Sequence, residues 1–386
     1  MDNINKKLSI SLEFIQNKED KKEFYDIINK IIFFFFLINI NIFNKNKNYI
    51  FKNYYNYTTN IDSYYKLNTF IKYINICKQG VLLYKYNFVK SNYPDISVII
   101  SLFNRDDYIN STIISIQNQR IKNIEIIIVD DYSTDNSTKY VEYAQKFDPR
   151  IRLIRNVRNM GALYTKSIGV LYSIGKYILS IDSDDMICIE DYIKVLFKEA
   201  KKGNYDYIEC NEYIEINLYN KTIFHKKSNT MLLWVKLIKR NIYEEIINRI
   251  GEGALKRRIT TLDDNFVLFF LKDNKNFKRI NKIGIFHYKH YNGQIYASNF
   301  SNKESIIKFC RNIINAIDAL IDISYDNIDS KNYCYYRLNL YLIKSQCFNQ
   351  TILKKNITKI FKKFLNSSFV SDNSRKNIKK ALKRIK

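Results

Sequence analysis

The sequence predicts an α/β protein with a mostly parallel, Rossmann-like sheet flanked by helices. Four short apolar runs alternate with segments of helical periodicity, which is the pattern of βαβ units. The predicted strands are Ile96–Ser101, Glu125–Val129, Ile151–Ile154 and Tyr177–Ile181. Polar or acidic residues follow each run, and ligands bind beyond the carboxyl ends of such strands. We therefore expect a site at this edge, for a ligand that needs carboxylates and a cation.

The composition limits the classes of partner. The chain has 386 residues and a formal net charge of +25. This charge allows an anionic partner such as nucleic acid, phospholipid or a phosphorylated substrate. The Lys-rich bias runs through every segment, however, so a solvated basic surface is the favoured explanation. The sequence contains no RNA-binding signature, and specific nucleic-acid binding is not expected.

The cysteines and the N-terminal sequence give an expectation for the cellular compartment of the protein. The six cysteines are scattered and form no CxxC pair. This distribution fits reduced thiols in a cytosolic chain better than a disulfide framework. The chain does not begin with a basic region leading directly into an apolar core, so a cleavable signal peptide is not expected. We predict a cytoplasmic protein.

Residues 1–93 are predicted to form a helical N-terminal extension. The apolar tract Ile31–Phe43 is too short for a membrane span, which needs about 20 apolar residues. Upstream apolar residues recur at helical spacing, so a buried helix is the first interpretation. A short membrane-embedded anchor is the alternative.

The central domain is predicted to span residues 94–300 and to begin at Pro94. After the first strand, Asp106 or Asp107 is expected to cap a helix. In that helix Ile109, Ile113 and Ile116 share one face, so the helix should pack on the sheet.

Adjacent carboxylates follow the second strand at Asp130 and Asp131. Ser133, Asp135 and Ser137 have a ready role as turn and N-cap groups. The two adjacent aspartates have no comparable role, so we expect at least one of them to contact ligand. A carboxylate can accept a hydrogen bond from the imide of a uracil base or from a ribose hydroxyl. The sequence has no Walker motif and no G-x-G-x-x-G, so a glycine-rich phosphate loop is not expected.

A second acidic group, Asp182-Ser183-Asp184-Asp185, follows the fourth strand. Aspartates at positions i and i+2 of an extended segment point two oxygen ligands toward one region. Magnesium and manganese favour such ligands, especially when a diphosphate completes the shell. A D-x-D alone is weak, but its place after a buried strand strengthens the interpretation.

Five segments of residues 95–200 form a recognisable series, in order and spacing: Ser97–Asn104, Ser115–Gln119, Val129–Ser137, Asn159–Gly161 and Gly175–Asp185. Taken together they resemble the nucleotide-sugar-binding half of family 2 glycosyltransferases, which are inverting enzymes with the GT-A fold. Ser101 stands where the family usually has Pro, and Ser167 where it often has Asn.

The resemblance implies a role for each matched residue. Ser101, Phe103 and Asn104 would line the nucleotide pocket, and a cation, Mn²⁺ or Mg²⁺, would be ligated by Asp184. The carboxylates expected near the base and ribose are Asp130, Asp131 and Asp182.

The acceptor side is predicted from Trp234 and an acidic pair. Trp234, the single tryptophan, either stacks on a sugar or lies in the core, and the two interpretations are equally good. Asp263 and Asp264 open a helix, where either could be an N-cap. In the family a Glu-Asp pair in this region supplies the catalytic base. Asp263 replaces the Glu, and Asp264 matches the base.

His287 is a candidate metal ligand from the far side of the cleft. Together with His290 it forms a His-x-x-His motif, which also suits zinc on a helix. No further Cys or His lies nearby in the sequence, so an ordinary structural histidine is the favoured alternative.

Residues 301–386 are predicted to be a basic helical region. From Thr351 onward Lys and Arg are abundant, with Asp372 as the one acid. Ile357, Ile360, Phe361 and Phe364 form an apolar stripe, so this region could lie on an anionic membrane surface. A solvated helix that covers the domain, or a disordered basic tail, is the alternative.

These observations favour a metal-assisted, inverting glycosyltransferase. It would move a sugar from a nucleotide-diphosphate donor, expected to be UDP-linked, to a hydroxyl of a glycan, lipid or protein acceptor. A carboxylate base would take the acceptor proton. Two rival interpretations are an inactive sugar-nucleotide binder and, with less support, a basic nucleic-acid-binding protein.

Overall fold

The computed structural model describes residues 94–217, 222–227, 232–273, 276–289, 303–323, 353–366 and 372–385. The predicted N-terminal extension, including Ile31–Phe43, and His290 lie outside the described residues. Within the described part of the chain, no helix is long and apolar enough to cross a membrane.

Strands and helices alternate through the first half of the described chain. Its elements are β1 (Ile96–Leu102), α1 (Ile109–Gln117), β2 (Ile124–Asp130), α2 (Ser137–Gln145), β3 (Ile151–Arg155), α3 (Ala162–Leu171) and β4 (Tyr177–Asp182). The four predicted strands are therefore present, each slightly longer than the apolar run that predicts it.

The second half is less regular. Its elements are β5 (Met186–Ile187), α4 (Tyr192–Gly203), β6 (Tyr207–Asn217), β7 (Thr222–Lys227), β8 (Lys236–Lys239), α5 (Arg240–Leu255), α6 (Asp263–Leu271), β9 (Phe277–Lys289), α7 (Lys303–Asp322), α8 (Lys354–Asn366) and α9 (Asp372–Ile385). Strand β6 is irregular, because its register against β9 shifts on both sides of Glu212.

One sheet runs through both halves. The strand order is β3-β2-β1-β4-β8-β6-β9-β5, and β7 pairs with β6 outside this path. Strands β1 to β4 are all parallel to one another. Strand β8 is antiparallel to β4 and to β6, so the sheet becomes mixed where the second half begins.

Helices cover both faces of the sheet. Successive side chains of a strand point to opposite faces. Accordingly, Ile99 lies in a core with α3 and α5 to α9, whereas Val98 and Ile100 lie in a second core with α1, α2 and α4. This arrangement confirms the predicted α/β class.

The C-terminal helices belong to the first of these cores. Ile357, Ile360, Phe361 and Phe364 of α8 are fully buried there. The apolar stripe predicted for a membrane surface therefore packs against the protein. The lysines on the opposite face of α8 are exposed: Lys355, Lys359 and Lys362.

Two local expectations are wrong. The residues that precede α1 and α2 are Tyr108 and Asn136, and neither helix has a side-chain cap hydrogen bond. Asp106 instead accepts a hydrogen bond from the Asn136 amide at 3.4 Å, across the two loops.

Cys188 and Cys210 are buried free thiols as expected, but Cys310 is disulfide-bonded.

Candidate active site

Parallel pairing brings the ends of β1 to β4 together at one edge. In the register of the sheet, Ser101 lies beside Asp182 on β4, and Leu102 lies beside Asp130 on β2. Asp130 also lies beside Arg155 at the end of β3. The predicted donor-binding residues of three strands therefore share one edge, as the carboxyl ends of parallel strands must.

The loops after β1 and β2 are locked to each other. The amide of Asn104 donates to Ser133 Oγ at 3.0 Å, and Asn104 Oδ1 accepts from the Thr134 amide at 2.8 Å. Asn104 and Tyr132 have φ of 49° and 69°, in the left-handed region that non-glycine residues rarely adopt. Such backbone strain concentrates at ligand sites.

Two aromatic rings stand exposed on these loops. Phe103 is 41% exposed and Tyr132 is 48% exposed. The guanidinium of Arg155 lies 5.5 Å from the centroid of the Tyr132 ring. The edge therefore offers flat apolar surfaces beside carboxylates, which suits a nucleobase.

Asp130 and Asp131 have structural partners that sequence reasoning did not foresee. Asp130 is fully buried, accepts from the Ser133 amide at 3.1 Å and pairs with Arg155 Nε at 3.1 Å. Asp131 accepts from the amides of Met160 and Gly161 at 2.7 and 2.9 Å. The expectation that these carboxylates have no structural role is wrong, because they hold the loops after β2 and β3.

Three carboxylates lie at or just after the end of β4, and each meets a cation from a different element. Asp182 Oδ1 lies 3.1 Å from Lys166 Nζ on α3. Asp184 Oδ2 lies 3.0 Å from Arg105 Nε in the loop after β1. Asp185 Oδ1 lies 3.1 Å from His287 Nδ1 on β9. The side chain of Asp182 is 33% exposed, whereas that of Asp185 is fully buried.

The pair formed by Asp185 and His287 lies inside the fold. Asp185 also accepts from the Tyr288 amide at 3.2 Å. Burial raises the pKa of Asp185 to about 6. Burial would lower the pKa of His287, but the nearby carboxylates outweigh it and raise that pKa to about 9. At neutral pH this contact is an ion pair that fastens the acidic segment to β9.

A third acidic group forms around Lys166. Its Nζ lies 3.1 Å from Asp182 Oδ1, 2.8 Å from Asp263 Oδ2 and 2.7 Å from Asp264 Oδ1. The Lys166 side chain is only 7% exposed. Burial opposes its charge, but the three carboxylates hold the pKa of Lys166 well above its ordinary value. Lys166 thus joins the donor edge to the predicted acceptor side.

Asp264 combines burial with crowding by like charges. Helix α6 begins at Asp263 after Leu262, so both aspartates lie in the first turn and neither is the N-cap. Burial raises the pKa of Asp264 to about 6, with further contributions from Asp263 and Asp182, against the opposing effect of Lys166. A carboxylate with this pKa is ionised at neutral pH and readily accepts a proton.

The family of this domain follows from comparison with known proteins. Residues 97–261 match the model of glycosyl transferase family 2, and this range includes the strand edge and Lys166. The matched part of the chain, residues 97–261, is by this similarity a glycosyl transferase family 2 domain.

Two relatives are similar to about half of this chain or slightly more. A Haemophilus influenzae protein named as an uncharacterized glycosyltransferase is 29% identical over 203 residues, covering 50% of this chain and 62% of the relative. Glycosyltransferase GlyG of Streptococcus pneumoniae is 26% identical over 262 residues, covering 59% of this chain and 83% of GlyG. The chain thus spans less than two-thirds of the first relative.

A solved structure shows the same fold. The crystal structure of S. aureus TarS residues 1–349 in complex with UDP-GlcNAc matches with a TM-score of 0.54 and 14% sequence identity. The match covers 75% of this chain and 90% of the TarS chain. At this level of identity the similarity establishes the fold of the family 2 domain and no more.

Trp234 of the family 2 domain is a core residue. It is 4% exposed, and its ring stacks on the His287 imidazole with centroids 5.1 Å apart. The ring of Tyr213 meets it edge-on at 5.0 Å. The acceptor-stacking interpretation of Trp234 is therefore not supported, because the ring is enclosed by the protein.

The protein groups around the acidic segment fit a divalent cation only in part. Among the described residues, no group of three or more His, Cys, Asp or Glu is arranged to hold a metal ion. Magnesium commonly takes one or two carboxylates and completes its shell with phosphate and water. Asp184, two positions after Asp182, is the carboxylate that fits that mode. His287 does not, because it lies on strand β9 as an imidazolium paired with Asp185.

Sequence reasoning missed Arg105, Lys166 and Asp185. Lys166 carried a detectable signal, because it lies between Leu163 and Val170 on the buried face of α3. A lysine at such a position is buried only when carboxylates meet it. Which carboxylates do so depends on a contact 98 positions apart, and no local pattern reports that.

Proposed function

We propose that this glycosyltransferase moves a sugar from a nucleotide-diphosphate donor, expected to be UDP-linked, to an acceptor hydroxyl with inversion at the anomeric carbon. The observation that carries the proposal is the position of Asp264. Its carboxylate lies across Lys166 from Asp182, so a group at the strand edge and a group that accepts protons face one small region.

The donor would lie along the strand edge. The uracil would meet the exposed rings of Phe103 and Tyr132, and Asp182, one-third exposed, would face the ribose or the sugar. Asp130 and Asp131 would support this pocket mainly by holding its loops, since their carboxylates already accept amide hydrogen bonds.

The diphosphate would lie near Asp184 and Arg105. Mn²⁺ or Mg²⁺, when bound at Asp184, would neutralise the negative charge that develops on the leaving diphosphate. Arg105 is placed to contribute in the same way, because its guanidinium already lies 3.0 Å from Asp184 Oδ2. Its Nη1 also donates to the Asn104 carbonyl at 2.9 Å.

The transfer itself would be a single displacement. The acceptor oxygen forms a bond to the anomeric carbon while the bond from that carbon to the diphosphate oxygen breaks. The acceptor proton passes to Asp264, and the nucleoside diphosphate leaves with the bonding electrons. A base on the face opposite the leaving group gives inversion.

The test is a donor screen with the full chain. UDP-, GDP- and dTDP-linked sugars are incubated with Mn²⁺, Mg²⁺ or EDTA, and released nucleotide and the anomeric configuration of the product are followed by NMR. We expect cation-dependent release from a UDP-sugar and an inverted product. Retention of configuration would contradict the mechanism, and binding of UDP-sugars without turnover of any would establish the inactive-binder alternative.

We further propose that the exposed lysines of α8 bind anionic membrane lipids, which would make the protein peripheral to a membrane surface. Lys355, Lys359 and Lys362 recur on the solvent face of a helix that contains no acidic residue. Each basic residue near an anionic surface contributes about 1 kcal/mol. The contact would be electrostatic only, since the apolar stripe is buried in the protein.

A further inference from the structure

Lys166 is a buried cation to which the proposed mechanism assigns no task. It lies on α3, which approaches β1 so closely at Gly169 that a side chain there would collide with Ile99. The position of the lysine is therefore fixed by the packing of its helix. Burial of an ammonium is unfavourable compared with an apolar residue of similar volume, so packing alone does not explain the choice of lysine.

The partners of Lys166 come from both sides of the site. Asp182 ends β4 at the donor edge, whereas Asp263 and Asp264 open α6 on the acceptor side. An ammonium has three N–H donors, and three carboxylates lie within 3.1 Å of this one. With all groups ionised, one positive charge faces three negative charges.

We propose that Lys166 is a positioning residue that keeps Asp264 ionised and aimed at the acceptor hydroxyl, and that ties this base to Asp182 at the donor edge. The inference depends on the proposed role of Asp264 as the base. Lys166 would act through Asp264, and the reaction would move no proton onto or off the lysine.

The effect of Lys166 on the pKa of Asp264 follows from the charged and titratable groups that face this carboxylate. They are Lys166 on α3, Asp182 on β4, Asp263 on α6, Lys236 on β8 and the Tyr243 phenol on α5. Without the ammonium of Lys166, two nearby carboxylates would still repel the charge on Asp264. Its pKa would then rise, and the base would be protonated at neutral pH.

The experiment compares the pH dependence of kcat/KM for the wild type and Lys166→Met. An opposite charge in contact with a carboxylate lowers its pKa by roughly 1–3 units. The acid limb, which is the fall of kcat/KM at low pH, should therefore move to higher pH by roughly that amount in Lys166→Met. Transfer should recover in Lys166→Met at high pH. Lys166→Arg retains the charge and should return the limb toward its wild-type position.

Lys236→Met is the matched control. Lys236 is also a buried lysine, but its ammonium lies 3.5 Å from Glu209 and donates to the Leu232 carbonyl at 3.0 Å. Its loss should disturb the fold to a similar degree but move the acid limb much less than Lys166→Met does, because Lys236 faces Asp264 without the 2.7 Å contact that Lys166 makes. A limb that shifts equally in both variants would overturn the proposal, because the effect would then not be specific to Lys166.

A second variant keeps the proposal testable if Lys166→Met does not fold. Asp263→Asn removes one of the repelling carboxylates and leaves Lys166 with two partners, so the acid limb should move downward. An unmoved limb in Lys166→Met would overturn the role of Lys166. An unmoved limb in Asp263→Asn would overturn it too, because the charges gathered around Lys166 would then not set the pKa of Asp264. If the wild type itself has no acid limb near pH 6, the base is not Asp264, and that result contradicts the proposed function first.

Discussion

Two acidic groups of this site, the segment after β4 and the pair that opens α6, differ in how their charges are matched. In the segment after β4, Asp184 and Asp185 each have a cation of their own, Arg105 and His287 respectively. At the start of α6, Asp263 and Asp264 share Lys166 with each other and with Asp182. The first arrangement is balanced, and the second carries excess negative charge.

This difference separates a structural role, that of Asp185, from the catalytic role proposed for Asp264. Asp185, fully buried and paired with His287, also accepts the Tyr288 amide and so fastens the segment to β9. Asp264 shares its cation, and burial together with like charges raises its pKa to about 6. Acidic pairs that look alike in sequence therefore differ in charge balance, which is set by the cations that the fold brings to them.

The largest expected effect is on transfer by Asp264→Asn. Loss of a general base lowers the rate by roughly 10²–10⁴-fold. Donor affinity should change little, because the proposed donor contacts come from the strand edge. The rate is measured in single turnover and the affinity by calorimetry with UDP. Asp263→Asn is the comparison variant and should retain transfer; an Asp264→Asn variant with the wild-type rate would move the base elsewhere.

The next effect is on donor binding by Asp184→Asn. This change removes an anionic oxygen next to the proposed cation and leaves the size of the side chain unchanged. Divalent-dependent affinity for UDP should be lost, while affinity in EDTA stays near the wild-type value. Calorimetry with and without Mn²⁺ measures both quantities. Equal enhancement by Mn²⁺ in the wild type and the variant would exclude Asp184 as a ligand.

A smaller effect concerns the contact between the loop that precedes α3 and the segment that precedes α6. Gly161 has φ of 91°, and a Cβ there would lie 2.6 Å from the Ile259 carbonyl oxygen, just before α6. Gly161→Ala should lower the free energy of unfolding by roughly 1–3 kcal/mol, as measured by urea titration. Gly253→Ala is the control, since nothing lies within 4 Å of a Cβ at that helical position. We expect Gly253→Ala to be neutral or slightly stabilising.

The sequence predicts the strand edge better than the contacts that balance its charges. Ile-rich runs such as Ile96–Ser101 mark buried strands, and parallel pairing then places Ser101, Asp130 and Asp182 at one edge. The predicted helix cap at Asp106 is wrong because its carboxylate bonds across the interlocked loops, and Asp135 likewise accepts the Asp106 amide as well as that of Ser137. The enclosed position of Trp234 depends on Tyr213 and His287, which approach it only in the folded chain.

The smallest effect is expected outside both acidic groups. Replacing Lys355, Lys359 and Lys362 by Glu together should weaken binding to phosphatidylserine liposomes by removing charge from the exposed face of α8. This variant is preferable to truncation at Thr351, which would remove buried residues such as Phe361 from the core. Donor affinity should be unchanged. Identical co-sedimentation of variant and wild type would exclude this face as the lipid contact.

The central claim, that Asp264 is the base, is tested most directly by the pH dependence of transfer. Because the pKa of Asp264 is raised to about 6, kcat/KM should be level at neutral pH and fall as the pH decreases through 6. The residual transfer by Asp264→Asn should lack this acid limb, since Asn does not titrate. If the same limb persists in Asp264→Asn, another group takes the acceptor proton, and the distinction drawn between the two acidic groups is wrong.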